Sequence, residues 1–230
     1  MKLIDLDLDR GRLARQGRPR TVCACASGPR LVRGGPRRPA VFLDRDGTLI
    51  VDKPYNANPD EITLLPGVRS ALNALTRAGY LLVVVTNQSG VARGYFEADA
   101  VAAMHDRLDE LLGSSRRPIL GYYFCPHHAA GCVPEYTAPC SYRKPEPGML
   151  LRAAEDWAID LGRSWMIGDM VSDVEAGRAA GCRSILLASR RRVHGGLHAD
   201  NLGDAARIIR ERDALVERGA AARPRVARRD

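Results

Sequence analysis

Two carboxylates one residue apart, Asp44 and Asp46, stand at the end of the apolar run Val41-Phe42-Leu43 and lead into Gly47-Thr48. A buried parallel strand reads as a continuous apolar run, and ligands gather outside the carboxyl ends of such strands. Residues two apart on a strand point the same way, so both carboxylates can face one reacting centre. Held that close, they repel unless a cation or a shared proton intervenes. A divalent metal with one nucleophilic and one proton-carrying carboxylate is the chemistry this arrangement suits. Taken alone, the segment also fits a strand ending in a solvated acidic turn, with Gly47 supplying a positive φ.

Three further segments weigh against the bland alternative. Tyr80-Leu81-Leu82-Val83-Val84-Val85 ends in Thr86-Asn87-Gln88-Ser89-Gly90, where a hydroxyl and the following amides can cradle a phosphate. Arg143-Lys144-Pro145 precedes a helical apolar stripe of Met149, Leu150, Ala153, Ala154 and Trp157. Trp165-Met166-Ile167-Gly168 ends in Asp169, with Asp173 four residues on. Only three of the 35 basic residues are lysines, so a lysine here reads either as chance retention or as a place where a compact ammonium is wanted. Lys144 beside an anion site is such a place.

In that order, over roughly residues 39–189, the four segments resemble the haloacid-dehalogenase-like (HAD) phosphatases. Thr-Asn-Gln-Ser-Gly-Val-Ala-Arg-Gly and Cys-Pro-His-His…Cys…Arg-Lys-Pro are similar to the heptose 1,7-bisphosphate and histidinol-phosphatase group within them. The resemblance implies Asp44 as a nucleophile that becomes an aspartyl-phosphate and Asp46 as general acid and then base. It implies Thr86 and Lys144 as holders of the transferring phosphoryl group, and Mg²⁺ on Asp44, Asp46 and Asp169, with Asp173 supporting the loop. A small phosphosugar is the implied substrate, heptose 1,7-bisphosphate first. Its contacts would come from Asp52, Lys53, Pro54 and Tyr55 on a flap, from Thr86, Asn87, Gln88 and Ser89, and from Arg143 and Lys144. Met170 stands where many relatives carry a basic residue. Histidinol phosphate is the near alternative and a nucleic-acid 3′-phosphatase the distant one; a catalytically dead binding protein is the non-enzymatic reading.

Cys125, His127, His128, Cys132 and Cys140 crowd one stretch, and thiolates with imidazole at short spacing suit a structural tetrahedral zinc. The relatives show Cys-x-His and then Cys-x-Cys, but Tyr142 stands at the last of these positions. Cys132 is the expected replacement, giving Cys125, His127, Cys132 and Cys140; a three-ligand site or reduced, packed cysteines are the other options.

The elements that must position these groups follow from periodicity. Val68, Leu72 and Leu75, then Val101, Met104, Leu108 and Leu111, mark two amphipathic helices. Ser172-x-x-Glu175 is a capping-box pattern for a helix ending near Gly181. Ile185-Leu186-Leu187 is a further strand, and Leu202, Ala205, Ala206 and Ile209 mark a last helix. Five strands alternating with helices predict an α/β, doubly wound, Rossmann-like parallel sheet without a large cap domain, its mouth shaped by loops 52–66 and 125–143.

The net charge of +8 is uneven: residues 1–39 carry +7, residues 190–230 carry +5, and residues 40–189 carry −4. The basic balance therefore belongs to the ends, and an acidic body poor in Tyr and Phe argues against a nucleic-acid groove. We expect a basic, disordered extension over 1–38, the phosphatase domain over 39–216 and a basic, disordered tail over 217–230. Asp5, Asp7 and Asp9 interrupt any signal-like segment, and no apolar run reaches the ~20 residues of a membrane helix. Six cysteines clustered this way do not form a secreted disulfide framework, so the cytoplasm is expected, with no membrane partner. The oligomeric state is open, with a monomer favoured.

Overall fold

The computed structural model describes residues 20–25, 36–113, 118–187 and 196–221. Its seven strands are β1 (Arg20–Cys23), β2 (Ala40–Leu43), β3 (Leu81–Asn87), β4 (Ile119–Cys125), β5 (Trp165–Gly168), β6 (Arg183–Leu187) and β7 (Leu197–Ala199). Among the described residues the five α-helices are α1 (Val68–Arg77), α2 (Ala98–Leu112), α3 (Gly148–Trp157), α4 (Val171–Ala179) and α5 (Leu202–Ala221). All pairings are parallel, in the order β1-β4-β3-β2-β5-β6-β7. From β2 the chain steps outward to β3 and β4, then returns to the other side as β5. The crevice beyond the ends of β2 and β5 is thus the switch point where such sheets bind ligands.

Period-two alternation divides the core. Val41, Leu43, Leu82, Val84, Tyr122, Trp165 and Ile167 face α1, α2 and α5, meeting Leu72, Leu75, Met104, Leu108, Ala205 and Ile209. Phe42, Val83, Val85, Tyr123 and Met166 face α3 and α4, meeting Met149, Leu150, Ala153 and Ala176. Helices on both faces let the strands be apolar throughout, as their sequences are.

Three expectations change. The sheet gains β1 and β7 at its edges, and β1 comes from the segment read as a disordered extension. Its pairing continues through Ala24 N–H to Phe124 C=O at 3.0 Å, and Ala24 is fully buried. The rest of that extension, residues 1–19 and 26–35, lies outside the described residues, as do 222–230 of the tail; α5 runs five residues past the expected boundary. Finally, α4 begins at Val171, so Ser172 is already inside it, and the cap is the Asp173 carboxylate accepting from Met170 N–H at 3.0 Å. Among the described residues no helix is long and apolar enough to cross a membrane.

Candidate active site

Asp44 follows β2 directly, and its N–H donates to Ile167 C=O of β5 at 2.9 Å, fixing it at the switch point. Asp169 follows β5. Asp44, Asp169 and Asp173 each offer a carboxylate oxygen within 4.8 Å of the others. Lys144 lies among them: its Nζ is 2.8 Å from Asp44 Oδ1 and 2.6 Å from Asp173 Oδ1, and it donates to Val85 C=O at 2.9 Å. Three acceptors meet the three protons of an ammonium, a geometry a planar guanidinium does not reproduce.

The electrostatics follow from burial. Desolvation pushes the Asp44 carboxyl up to about 7, against the opposing pull of Lys144 and with a push from Asp173. Burial, then Asp173, raises Asp169 to about 6. Burial disfavours the charge on Lys144, but Asp173 and Asp44 overcome it and hold the ammonium above its ordinary value. One cation among three carboxylates leaves excess negative charge, and the buried Oδ1 of Asp169 has no hydrogen-bond partner. Such a donor set fits a small, hard divalent cation. Gly47 lets the Asp169 carboxylate approach: φ is +71°, and a Cβ there would lie 2.3 Å from Asp169 Oδ2.

The carboxylate of Asp46, expected beside the metal, is not among the three grouped. Arg45, 2% exposed, grips it at 2.9 Å, and Gln88 Nε2 donates to it at 3.0 Å. The same Nε2 donates to the hydroxyl of Thr86 at 2.9 Å, so one buried amide sets both Asp46 and Thr86. Gln88 is thereby engaged through its side-chain amide within the protein. Asn87 is too: its Nδ2 donates to Lys144 C=O at 3.0 Å and its Oδ1 accepts from Lys144 N–H at 3.1 Å. That reciprocal clamp ties the end of β3 to the loop carrying Lys144. No side-chain contact singles out Ser89, which is half-buried; its carbonyl accepts from Arg93 N–H at 3.1 Å.

The flap residues Asp52, Lys53, Pro54 and Tyr55 are exposed. Lys53 turns back to Glu61 at 3.2 Å, while Asp52 contributes to the raised carboxyl of Asp169, which lies behind burial and Asp173 among the causes. Tyr55 packs edge-on against Tyr95 with ring centroids 4.7 Å apart, and the Arg93 guanidinium lies 5.9 Å from its ring. Arg93, which sequence reasoning passed over, carries a buried Nε without a partner. Its like charge, after burial, lowers the pKa of Arg143, whose Nη1 donates to His127 C=O at 3.1 Å. Among the described residues neither arginine pairs with a carboxylate. The Cys125 thiol pulls the other way on Arg143, and two neighbouring guanidiniums without a carboxylate partner suit an anion. The flap thus reaches from the carboxylates at Asp52 to the arginines at Tyr55.

The thiol–imidazole stretch gathers differently from expectation. Cys25, Cys125, His127 and Cys140 bring their ligand atoms within 4.8 Å of one another. Cys132 does not join them: it is exposed, its N–H donates to Ala92 C=O at 2.8 Å, and its sulfur lies toward Gly94. Tyr142 packs on the apolar layer beside α3. His128 is separate as well, with Nε2 3.4 Å from Arg93 and Nδ1 accepting from Ala130 N–H. Hydrogen bonding from Cys25 lowers the Cys125 thiol to about 6 despite its burial. The sequence signal for Cys25 was the Cys23-Ala24-Cys25 pair beside β-branched Thr21 and Val22, set against the missing ligand at Tyr142.

The chain is similar to proteins of known family. The family model described as HAD-hyrolase-like matches residues 141–201. A D-glycero-beta-D-manno-heptose-1,7-bisphosphate 7-phosphatase of Rhodopseudomonas palustris is 44% identical over 151 residues, 66% of this chain and 84% of that protein. The enzyme of the same name from Escherichia coli K12 is 44% identical over 142 residues, 62% of this chain and 74% of the relative. Among solved structures, the D,D-heptose 1,7-bisphosphate phosphatase of B. bronchiseptica, complexed with magnesium and phosphate, matches with a TM-score of 0.65 at 30% identity. That match covers 76% of this chain and 99% of the other.

Proposed function

The chain belongs to the HAD-like phosphatases, as a phosphoric monoester hydrolase, and from that premise we propose that it removes the C7 phosphate of D-glycero-manno-heptose 1,7-bisphosphate. The observation that carries this reading is the pairing of two charge-imbalanced sites, excess carboxylate around Lys144 and excess arginine at Arg93 and Arg143, bridged by one flap. A substrate with a phosphate at each end answers both. Histidinol phosphate carries an amine at its far end, which two unpaired arginines would repel.

Asp44 attacks phosphorus and becomes the aspartyl-phosphate, while Asp46, aimed by Arg45 and Gln88, protonates the leaving alkoxide. Asp46 then takes the proton of the water that hydrolyses the acyl-phosphate. Thr86 and Lys144 hold the phosphoryl oxygens, whose charge grows little but must be met in place. Asp44 and Asp169 would hold a magnesium ion, which would supply charge neutralisation and favour the ionised form of both carboxylates. Arg143 and Arg93 grip the phosphate that stays. A structural zinc in the Cys125–Cys140 loop belongs to the same reading and steadies the approach to Arg143 and Lys144. Reduced thiols of this kind fit the cytoplasm.

The test is phosphate release from both anomers of the heptose bisphosphate, from histidinol phosphate and from a 3′-phosphorylated oligonucleotide, with and without magnesium. Magnesium-dependent release from a heptose bisphosphate is expected to exceed the others in kcat/KM. Preference for histidinol phosphate would overturn the substrate.

A further inference from the structure

We infer that Cys25, delivered by the edge strand β1, is the fourth ligand of a structural zinc completed by Cys125, His127 and Cys140. The inference rests on the reading that this loop holds zinc, and adds where its last ligand comes from. A tetrahedral zinc with Zn–S bonds of about 2.3 Å sets its sulfurs roughly 3.7–3.8 Å apart. Cys25 and Cys125 sulfurs are 3.8 Å apart, Cys125 Sγ and His127 Nδ1 3.9 Å, and Cys25 and Cys140 sulfurs 3.2 Å. The Cys25–Cys125 edge already has the tetrahedral length, the sulfur–nitrogen edge exceeds by about 0.3 Å the roughly 3.6 Å that Zn–S and Zn–N bonds set, and the Cys25–Cys140 edge needs to open by about half an ångström.

The placement of Cys25 follows from ordinary strand chemistry. β1 pairs in parallel with β4, with Cys23 opposite Phe124 and Ala24 N–H bonded to Phe124 C=O at 3.0 Å. Cys25 therefore arrives alongside Cys125 at the end of β4. Ala24 is buried in the layer beneath α3, and the Thr21 hydroxyl lies 3.1 Å from His105 Nδ1 on α2. The strand is thus held by pairing, packing and a side-chain bond before any ion binds. A segment some hundred residues upstream takes the ligand position that Tyr142 has left, while Tyr142 packs on the core. The consequence is a coupling: zinc would fasten the edge of the sheet to the loop that carries Arg143 and Lys144.

Thiol alkylation of the full-length protein with mass readout tests this without any substitution. Purified chain should carry about one zinc, with Cys25, Cys125 and Cys140 protected and exposed Cys132 labelled first. Chelation should raise the labelling rate of Cys25 by about ten-fold or more, together with Cys125 and Cys140, and leave Cys132 unchanged. In Cys25→Ser, cobalt(II) should show weaker thiolate-to-metal absorption than in the parent, whereas Cys132→Ser should match the parent. Zinc bound while Cys25 labels equally with and without chelator would remove Cys25 and keep the zinc. Protection of Cys132 would restore the ligand expected from spacing and overturn the inference. A chain without zinc, or with a Cys25–Cys140 disulfide, would overturn both readings of the loop.

Discussion

The reacting centre and the thiol–imidazole cluster each crowd like-charged donors into a few ångströms, but they are held by different means. The centre stands at the middle of the sheet, on the ends of β2, β3 and β5. Lys144 supplies a charge of its own there, bonded to Asp44 and Asp173. The cluster stands at the sheet edge, where Cys25 and Cys140 come from segments 115 residues apart. A centre with an internal counter-charge is organised before its metal and substrate arrive. A cluster of thiols without one depends on a metal to close it. Substitutions at the first should therefore act on chemistry, and changes at the second on the positions of other residues.

The largest expected effect breaks the centre at its nucleophile. Asp44→Asn keeps the shape and leaves Asp173 to hold Lys144, yet an amide cannot form the acyl-phosphate, so kcat should fall by about 10⁴-fold or more. Asp46→Asn should retain substrate binding and lose about 10²–10⁴-fold in kcat. Steady-state phosphate release decides both, and near-normal turnover in Asp44→Asn would sink the mechanism.

Next comes the counter-charge. Lys144→Arg places a guanidinium where three acceptors surround one ammonium in a side chain 2% exposed, so the fork cannot meet all of them. We expect kcat to drop about 10²–10³-fold with KM changed far less, as for a charge felt mainly in the transition state. Arg143→Ala should do the reverse and chiefly raise KM. Equal, small effects from the two would show that neither meets a phosphate.

The edge cluster should matter less. Removing zinc and then restoring magnesium should leave the carboxylates competent and lower kcat/KM by about 10-fold, through a loosened Arg143 and Lys144. Kinetics before and after zinc removal measure it. A loss as large as that of Asp44→Asn would mean that the loop metal takes part in chemistry.

The same contrast explains what was legible in the sequence. Asp44, Thr86 and Asp169 each close an apolar run, and a strand announces its own end, so their convergence at the switch point could be read from four short segments. Pairings made by closeness in space could not. Asn87 and Gln88 look like phosphate contacts in one dimension, yet their amides are consumed by Lys144 and by Asp46 with Thr86. Asp173 takes the cap that spacing assigned to Ser172 and Glu175 because its carboxylate also answers Lys144. Cys25 stayed hidden because its neighbours in sequence are basic and glycine-rich, which signals disorder, while its neighbours in space belong to β4. Local pattern carries an element's ends; it does not carry which distant edge strand pairs with it.

The smallest effect sharpens the comparison from the side of β1. His105 is 1% exposed, stacks on Tyr122 with centroids 4.4 Å apart, accepts or donates at Thr21, and has a buried Nε2 without a partner. Burial, then the charge of Arg45, holds its pKa well below 6.5. Above about 6.5 the ring is neutral folded and unfolded, so it adds no pH dependence. Below that value the unfolded chain binds a proton that the folded chain refuses. Stability then falls as pH falls, by up to about 1.4 kcal/mol per pH unit until the folded pKa is reached. The raised carboxyls of Asp44 and Asp169 act with the opposite sign, since the folded state binds their protons first. A difference measurement separates the terms. Urea unfolding of the parent and of His105→Gln at about pH 7.5 and about pH 5.5 should show the parent losing ground relative to the variant on acidification. Protection factors at Thr21 and Val22, corrected for the slower intrinsic exchange at lower pH, should fall in the parent over the same interval, while those in β2 and β5 change less. An unchanged difference between the two proteins would mean that His105 is neither the acid-sensitive group nor the latch of this edge.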